Sequence, residues 1–271
     1  MIYFHMSSSE KFNVFGLSKS KNFGKKHTLT DVSNFDNIEK YVQKLKPKII
    51  INCIGLLINE SNENLRKAIK INTLLPHFLD RLSFKYSYKL IHISTDCVFS
   101  GTKGGSYLEN DFKDGIGNYS ITKGLGEVIS DRNLTLRTSV VGPELTNRNE
   151  ELFNWFMSQS NDIDGFTNVY WSGVSTIELA KNVSWAIANN LKGLYHVTNG
   201  TKISKNDLLK LFKKYSKKKI TIRSTLSSFS DKTLINSRKE FSYKVPSYDL
   251  MIKNIFIHIN NNKHLYPYYN I

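Results

Sequence analysis

Two short apolar runs flank a long helical pattern in this chain, and that arrangement limits the folds open to it more than any other feature. Lys48 to Ile54 reads as a continuous apolar strand, Asn62 to Phe84 carries helical spacing, and Lys89-Leu-Ile-His-Ile-Ser-Thr-Asp96 is a second apolar strand. Runs of Ile and Leu without polar alternation are buried on both faces, as in a parallel sheet covered by helices. The alternation extends in both directions. Met1 to Ser9 reads as the end of a helix, and Phe12 to Leu17 and Thr28 to Val32 as short strands. Asn34 to Leu45 reads as a helix with Phe35, Ile38, Val42 and Leu45 on one face, stopped by Pro47. A helix carrying Tyr119 and a strand from Leu134 to Gly142 follow. Such repeated units predict an α/β chain with a parallel sheet and helices on both faces.

Beyond Gly142 the pattern loosens. Helices are predicted at Glu150 to Ser160, Thr176 to Asn189 and Lys205 to Tyr215, and strands at Gly193 to Val197 and Lys219 to Arg223. With no clean linker, the second lobe is expected to be woven into the first. The division expected is 1–145 and 146–271, with about 170–200 returning to the main sheet. The tail from Asn260 to Ile271 reads as a frayed end.

The 271 residues suffice for a substantial core, and the longest apolar stretch, Ile49 to Ile58, is too short to cross a bilayer. Met1-Ile-Tyr-Phe-His-Met lacks the basic region and long apolar core of a secretory signal, so the cytoplasm is the expected compartment. Cys53 and Cys97, in or at the end of apolar strands, are expected to behave as small core residues and not as a disulfide. The net charge of +15 comes mostly from Lys scattered along the chain and does not form a nucleic-acid-binding stripe. The sequence singles out no metal site, no membrane partner and no nucleic acid, and it leaves a homodimer open.

The chemistry concentrates at Thr95, Tyr119 and Lys123. Thr95 ends an apolar strand, which is where open α/β sheets place their sites. The four-residue step from Tyr119 to Lys123 puts an ammonium and a phenol on one helix face. A neighbouring cation lowers a phenol's pKa, which makes Tyr119 a tunable acid. The same spacing also arises by composition alone in a Lys-rich chain.

These residues carry a resemblance to the extended short-chain dehydrogenase/reductases, and among them to the dTDP-4-dehydrorhamnose reductase-like group that modifies nucleotide sugars. Its carriers are Ile50-Ile-Asn-Cys-Ile-Gly55, Ile69-Lys-Ile-Asn-Thr-Leu-Leu-Pro76, His92-Ile-Ser-Thr-Asp-Cys-Val-Phe-Ser-Gly101, Tyr119-x-x-x-Lys123 with Gly126-Glu127, and Leu136-Arg-Thr-Ser-Val-Val-Gly142. The resemblance implies a Rossmann-type doubly wound parallel sheet with a smaller interwoven substrate-binding lobe. It implies Tyr119 as proton donor to a keto sugar, and Lys123 as holder of the nicotinamide ribose that lowers the Tyr119 pKa. Thr95 would bond the reacting carbonyl. Asn72 would support Lys123 through water, or would simply bond a nearby carbonyl. Asp31 and Val32 match the adenine-contacting pair, and Asn52, Cys53 and Gly55 the strand end beneath the cofactor ribose.

The strand ending at Ser18 and Lys19, followed by Lys21, presents no acid, which favours NADP(H) and leaves NAD(H) open. On the substrate side the resemblance points to Cys97, Val98 and Phe99, with Trp171, Gly173 and Ser175 closing the cleft. Arg137 would meet a diphosphate or pair with a carboxylate. The expected activity is NADP(H)-dependent reduction of a 4-keto-6-deoxy nucleotide sugar for surface polysaccharide synthesis. The alternatives are a UDP-linked amino-sugar epimerase/reductase and a non-catalytic binding subunit. One departure stands out: the family's opening strand and Gly-rich turn, which bind the cofactor pyrophosphate, are missing from Met1 onward. The expectation is a sheet without its first strand, at a cost of about 1–3 kcal/mol for each buried backbone group left unpaired.

Overall fold

The computed structural model describes residues 1–19, 22–145 and 150–269. Lys21 therefore lies outside the described residues, as do Asn270 and Ile271. The first helix, α1 (Ile2–Ser7), precedes two short strands, β1 (Gly16–Ser18) and β2 (His27–Leu29), which pair in parallel as a sheet of their own. Both strands are shorter than the patterns at Phe12 to Leu17 and Thr28 to Val32. Next comes α2 (Phe35–Leu45), capped by the Asn34 side chain accepting from the Asp36 amide and closed by Lys46 in the left-handed region at φ 43.

The main sheet holds β3 (Ile49–Asn52), β4 (Lys89–Thr95), β5 (Leu134–Thr138) and β10 (Gly193–His196) in the order β10-β5-β4-β3, all parallel. Successive residues of β4 face opposite ways, as the two-residue period of a strand requires. Leu90 packs with Ile38, Leu75, Leu79 and Val128, while Ile91 joins the larger cluster of Leu136, Phe153, Val183 and Ile252. Both faces are buried, which explains the uninterrupted Ile and Leu. No described strand pairs with both β1 and β3, so the two sheets are not joined into one.

The long helix expected between Asn62 and Phe84 is broken. It becomes α3 (Ile58–Glu63), α4 (Leu65–Ala68), a π-helical turn at Ile69–Leu74 and α5 (Leu75–Tyr86). Asn64 leaves helical geometry and caps α4 by accepting from the Lys67 amide. Pro76 has no amide for the carbonyl of Asn72 four residues back, and the wider turn accommodates its ring.

Two elements then carry the site: α6 (Asn118–Leu125), and β6 (Val140–Val141) beyond β5. The rest of the chain adds α7 (Leu152–Ser158), β7 (Ile163–Phe166), β8 (Val169–Trp171), β9 (Val174–Ser175) and α8 (Thr176–Ala188). After β10 follow β11 (Ile203–Ser204), α9 (Lys205–Ser216), β12 (Ile222–Thr225), β13 (Ser230–Asp231) and α10 (Tyr248–Asn261). Small sheets tie this part together, with β12 on β7, β11-β8-β13, and β6 on β9. The tail is not frayed through residue 269: Tyr266 is 3% exposed in the large cluster, and the Tyr269 hydroxyl accepts from the Glu144 amide. Its aromatic rings outweigh the Asn and Lys between them. No helix among the described residues is long and apolar enough to cross a membrane.

Candidate active site

Thr95 ends β4 in extended geometry and caps a short turn at Asp96–Val98. Its Oγ1 accepts from the Cys97 amide at 3.2 Å and donates to Asp96 Oδ1 at 3.2 Å. The Tyr119 phenol, on the first turn of α6, lies close enough to Thr95, Asp96 and Cys97 for all three to act on its proton. Thr95 and Tyr119 are thus neighbours at the carboxyl end of β4. Burial pushes the phenol up; the Cys97 and Asp96 charges add to this, and the nearby Thr95 hydroxyl opposes it.

Lys123 is 5% exposed, one turn further along α6, and its Nζ donates to the Ile93 carbonyl at 2.9 Å. Burial pulls this ammonium down to about 8, opposed by Glu127 and Cys53. The expectation that Lys123 lowers the Tyr119 pKa is corrected: the phenol is raised, because desolvation of the hydroxyl dominates and the ammonium is drawn to the main chain of β4.

Asn72 sits in the π turn and is fully buried. Its side chain holds both polar groups of Leu56, accepting from the amide at 2.8 Å and donating to the carbonyl at 3.1 Å, and it also reaches Thr122 Oγ1 at 3.1 Å. The simpler reading of this residue therefore holds: Asn72 fastens the exit of β3 to α6. A Cβ on the exposed Gly55 would lie 3.4 Å from Asn72 Oδ1 and 3.7 Å from Lys123 Nζ, so this glycine opens the space beside the ammonium. Asn52 is buried; its Oδ1 accepts from the Ile54 amide and its Nδ2 donates to His92 Nδ1. Cys53 corrects a second expectation. It is exposed, because it follows the last paired residue of β3, while Cys97 is half-buried.

At the far end, Ser18 closes β1 and its carbonyl accepts from the Thr30 amide. Lys19 lies 3.7 Å from Asp31, both well exposed, and the Ser33 amide and hydroxyl, with Lys19 a smaller contributor, hold the Asp31 carboxyl below its usual range. Val32 packs between the clusters around Ile38 and Leu56.

Several expected substrate contacts are packing residues instead. Val98 and Phe99 are buried with Tyr107 and Leu234, and Phe99 stacks on Tyr107 with centroids 4.1 Å apart. Arg137 is buried and makes a bidentate pair with Glu127 at 2.6 and 2.7 Å, while its third nitrogen contacts His196 Nε2 at 2.8 Å. It meets a carboxylate, not a diphosphate, because an unpaired guanidinium in the sheet interior is too costly. Burial acts to raise Glu127, but Arg137, Ser94 and Lys113 outweigh it and hold the carboxyl low. Trp171 is 3% exposed against Tyr248, and Ser175 caps α8 by accepting from the Glu178 amide. Gly173 permits the contact of β9 with the Ser139 carbonyl, which an added Cβ would meet at 2.1 Å. Of the expected substrate group, Cys97 alone remains beside Tyr119 with part of its surface accessible.

Sequence reasoning missed a group of charges around Asp96. Asp96 is 8% exposed and raised by burial, opposed by Lys232 and Lys205. Lys205, the first residue of α9, is lowered by burial and faces Asp96, Cys97 and Glu151. Asp96 was visible in the strand-end motif. Lys205 and Lys232 sit more than a hundred residues away in patterns typical of a helix start and a loop, with no local signal.

A phenol and a hydroxyl at the sheet end, with a buried ammonium one helical turn away, form a site for giving a proton to a developing oxygen anion. Over 114 residues the chain is 28% identical to dTDP-4-dehydrorhamnose reductase of Aggregatibacter actinomycetemcomitans, covering 40% of this chain and 39% of that protein. Over 189 residues it is 23% identical to dTDP-4-keto-6-deoxy-D-glucose reductase of Streptomyces niveus, covering 67% and 65%. Both matches span less than two thirds of the curated relative. A dTDP-4-dehydrorhamnose reductase from Bacillus anthracis, solved in complex with NADP, superimposes with a TM-score of 0.76 at 21% identity, covering 86% of this chain and 89% of that one. With residues 4–233 matching the RmlD substrate binding domain, the chain belongs to that family.

Proposed function

We propose that this chain is an NADP(H)-dependent reductase of a 4-keto-6-deoxy nucleotide sugar. The observation that carries the reading is the meeting of Tyr119 with Thr95 at the carboxyl end of β4, with Lys123 buried one turn further on α6. The residues fit a nicotinamide cofactor where exposed Gly55 leaves space beside Lys123 and where Lys19 provides a basic group at the end of β1. Lys123 would hold the ribose there, Asp31 and Val32 the adenine, and Ser18 and Lys19 a 2′-phosphate. When bound, a reduced nicotinamide supplies the hydride. Tyr119 gives its proton to the sugar oxygen, and Thr95 holds that oxygen in place.

Residues 1–145 act as the cofactor half and 146–271 as the substrate lobe, with about 170–200 returning to the main sheet, as the pairing of β10 with β5 supports. A role in surface polysaccharide synthesis in the cytoplasm follows from the same reading. Exposed Leu65, Ile69, Leu74, Ile121 and Leu125 on α4, the π turn and α6 support a homodimer.

A non-catalytic binding subunit is the second reading, favoured by the raised Tyr119 phenol and by Lys123 being drawn to Ile93. Titration of the purified chain with NADPH, followed by nicotinamide fluorescence, separates the two. A saturable signal and oxidation of the cofactor on adding dTDP-4-keto-6-deoxyglucose or dTDP-4-dehydrorhamnose support the reductase. A flat fluorescence trace overturns it.

A further inference from the structure

The end of the chain grips the segment that leaves the sheet beside Thr95. Thr138, the last residue of β5, lies in register with Thr95 of β4, and the chain runs from there through β6 to Glu144. The fold fixes the inner part of this run. Val140 and Val141 pair with β9, and a Cβ added to Gly142 would meet Thr176 Oγ1 at 2.2 Å. The tail fixes the outer part. The Tyr269 hydroxyl accepts from the Glu144 amide at 3.1 Å, and the Tyr268 hydroxyl donates to the Glu144 carbonyl at 2.9 Å. The Tyr269 hydroxyl also donates to Asn154 Oδ1 on α7. Two consecutive tyrosines therefore hold both main-chain groups of Glu144, and one of them ties that residue to α7.

What is gripped would otherwise turn outward. Asn154 is buried, and its Nδ2 and Glu144 Oε1 are both enclosed with no hydrogen-bond partner among the described residues. Polar groups left this way gain by reaching water, so Glu144 and α7 stay in place only while other contacts hold them. The tail supplies those contacts. The Tyr269 ring meets Phe153 of α7 edge-on with centroids 5.7 Å apart and stacks on Tyr266 at 6.0 Å, while the Tyr266 hydroxyl lies 3.1 Å from His258 Nε2 on α10. The cap of α7 is Glu151, whose charge reaches the Tyr119 phenol, so a shift of α7 is felt at the site.

We propose that Tyr268 and Tyr269 are positioning residues of the site: by holding Glu144 and Asn154 they fix the substrate-side wall that the chain forms beside Thr95. In its catalytic consequence this rests on the reductase reading; the grip itself does not.

The test uses the full chain and the variants Tyr268→Phe and Tyr269→Phe, which lose a hydroxyl and keep the ring. Hydrogen exchange at the Glu144 amide should quicken by about tenfold in Tyr269→Phe and stay near the wild-type rate in Tyr268→Phe, which loses only the carbonyl bond. An unchanged rate in Tyr269→Phe overturns the proposal. In each variant KM for the keto sugar should rise about fivefold, with kcat and NADPH affinity little changed, the pattern of lost uniform binding. A lower urea midpoint with KM unchanged would mean that the tyrosines only pack, and overturns it as well. If Tyr269→Phe does not fold, Tyr268→Phe decides by its KM. Affinity for dTDP-glucose, which has no ketone to reduce, should fall by a similar factor when measured by calorimetry, whether or not the chain turns over. Absence of wild-type turnover with that fall intact overturns the reductase reading alone. Turnover with wild-type KM in the folded variants overturns this proposal alone, and no binding of dTDP-glucose or turnover by the wild type overturns both.

Discussion

Lys123 Nζ donates to the carbonyl of Ile93 at 2.9 Å, so the ammonium of α6 is held against the middle strand of the sheet in a place with almost no solvent. The folded chain keeps this proton only up to about pH 8, against 10.5 for an ordinary lysine. Between those values the unfolded chain binds more protons, so this group's contribution to stability rises with pH across the window and its full penalty is present below it. The penalty is of order 3 kcal/mol.

Lys123→Met should therefore stabilise the protein at neutral pH by about 1–3 kcal/mol, less than the full penalty because the Ile93 carbonyl loses a donor. Urea unfolding at several pH values should show the gain shrinking from pH 8 to 10.5, the window set by the same group. NADPH affinity should fall in the same variant. An equally stable variant at every pH would show that the ammonium is solvated.

Tyr119→Phe removes one buried-side hydroxyl near Thr95. Ketone reduction should fall by about 10²–10⁴-fold, the usual worth of a positioned acid, with NADPH affinity nearly unchanged. Stability should change by about 1 kcal/mol or less, since Thr95 keeps its bonds to Cys97 and Asp96. Surviving turnover would assign the proton to another group.

Arg137 and Glu127 predict a stability effect with no role in ligand binding. Truncation of Arg137 to Ala leaves Glu127 buried and unpaired apart from Ser94 and Lys113, and should cost about 3–5 kcal/mol. Replacing both as Arg137→Met with Glu127→Gln should recover more than half of that, because Gln still accepts from Ser94. NADPH affinity of the double variant should match the wild type within about threefold, roughly 0.6 kcal/mol. A large loss of affinity in a stable double variant would return Arg137 to the binding site.

What could be read from the sequence divides along the distance over which each residue finds its partners. Ile49 to Ile51 and Leu90 to Ile93 announce buried parallel strands by themselves, and Tyr119 with Lys123 announces a shared helix face. Pro76 signalled a break that the surrounding apolar spacing concealed, so three helices and a π turn read as one. Phe99 was misplaced, and Arg137 was left open between a diphosphate and a carboxylate, because their partners, Tyr107, Leu234, Glu127 and His196, are set by packing across the sheet end. The charges around Asp96 are the extreme case, brought together only when β13 and α9 fold over β4.

Gly124 and Gly126 give a paired test of how α6 is seated. A Cβ on Gly126 would lie 1.8 Å from the Asn72 carbonyl oxygen and 3.2 Å from Thr73 Cα, both main-chain atoms that cannot rotate away. Gly126 has φ −84, so alanine meets no backbone strain there and any loss belongs to the clash. On Gly124 the nearest atoms would be 3.7 Å away, which is ordinary contact. Alanine is the better helix former by about 1 kcal/mol, so Gly124→Ala should be neutral or stabilising by up to that amount. Gly126→Ala should instead cost about 3 kcal/mol or more, since α6 must lift from the π turn. That movement pulls Thr122 from Asn72 and shifts Tyr119 and Lys123 with it, so NADPH affinity should fall together with the urea midpoint. If the two alanine variants unfold at the same urea concentration, α6 is not seated on the Asn72 carbonyl.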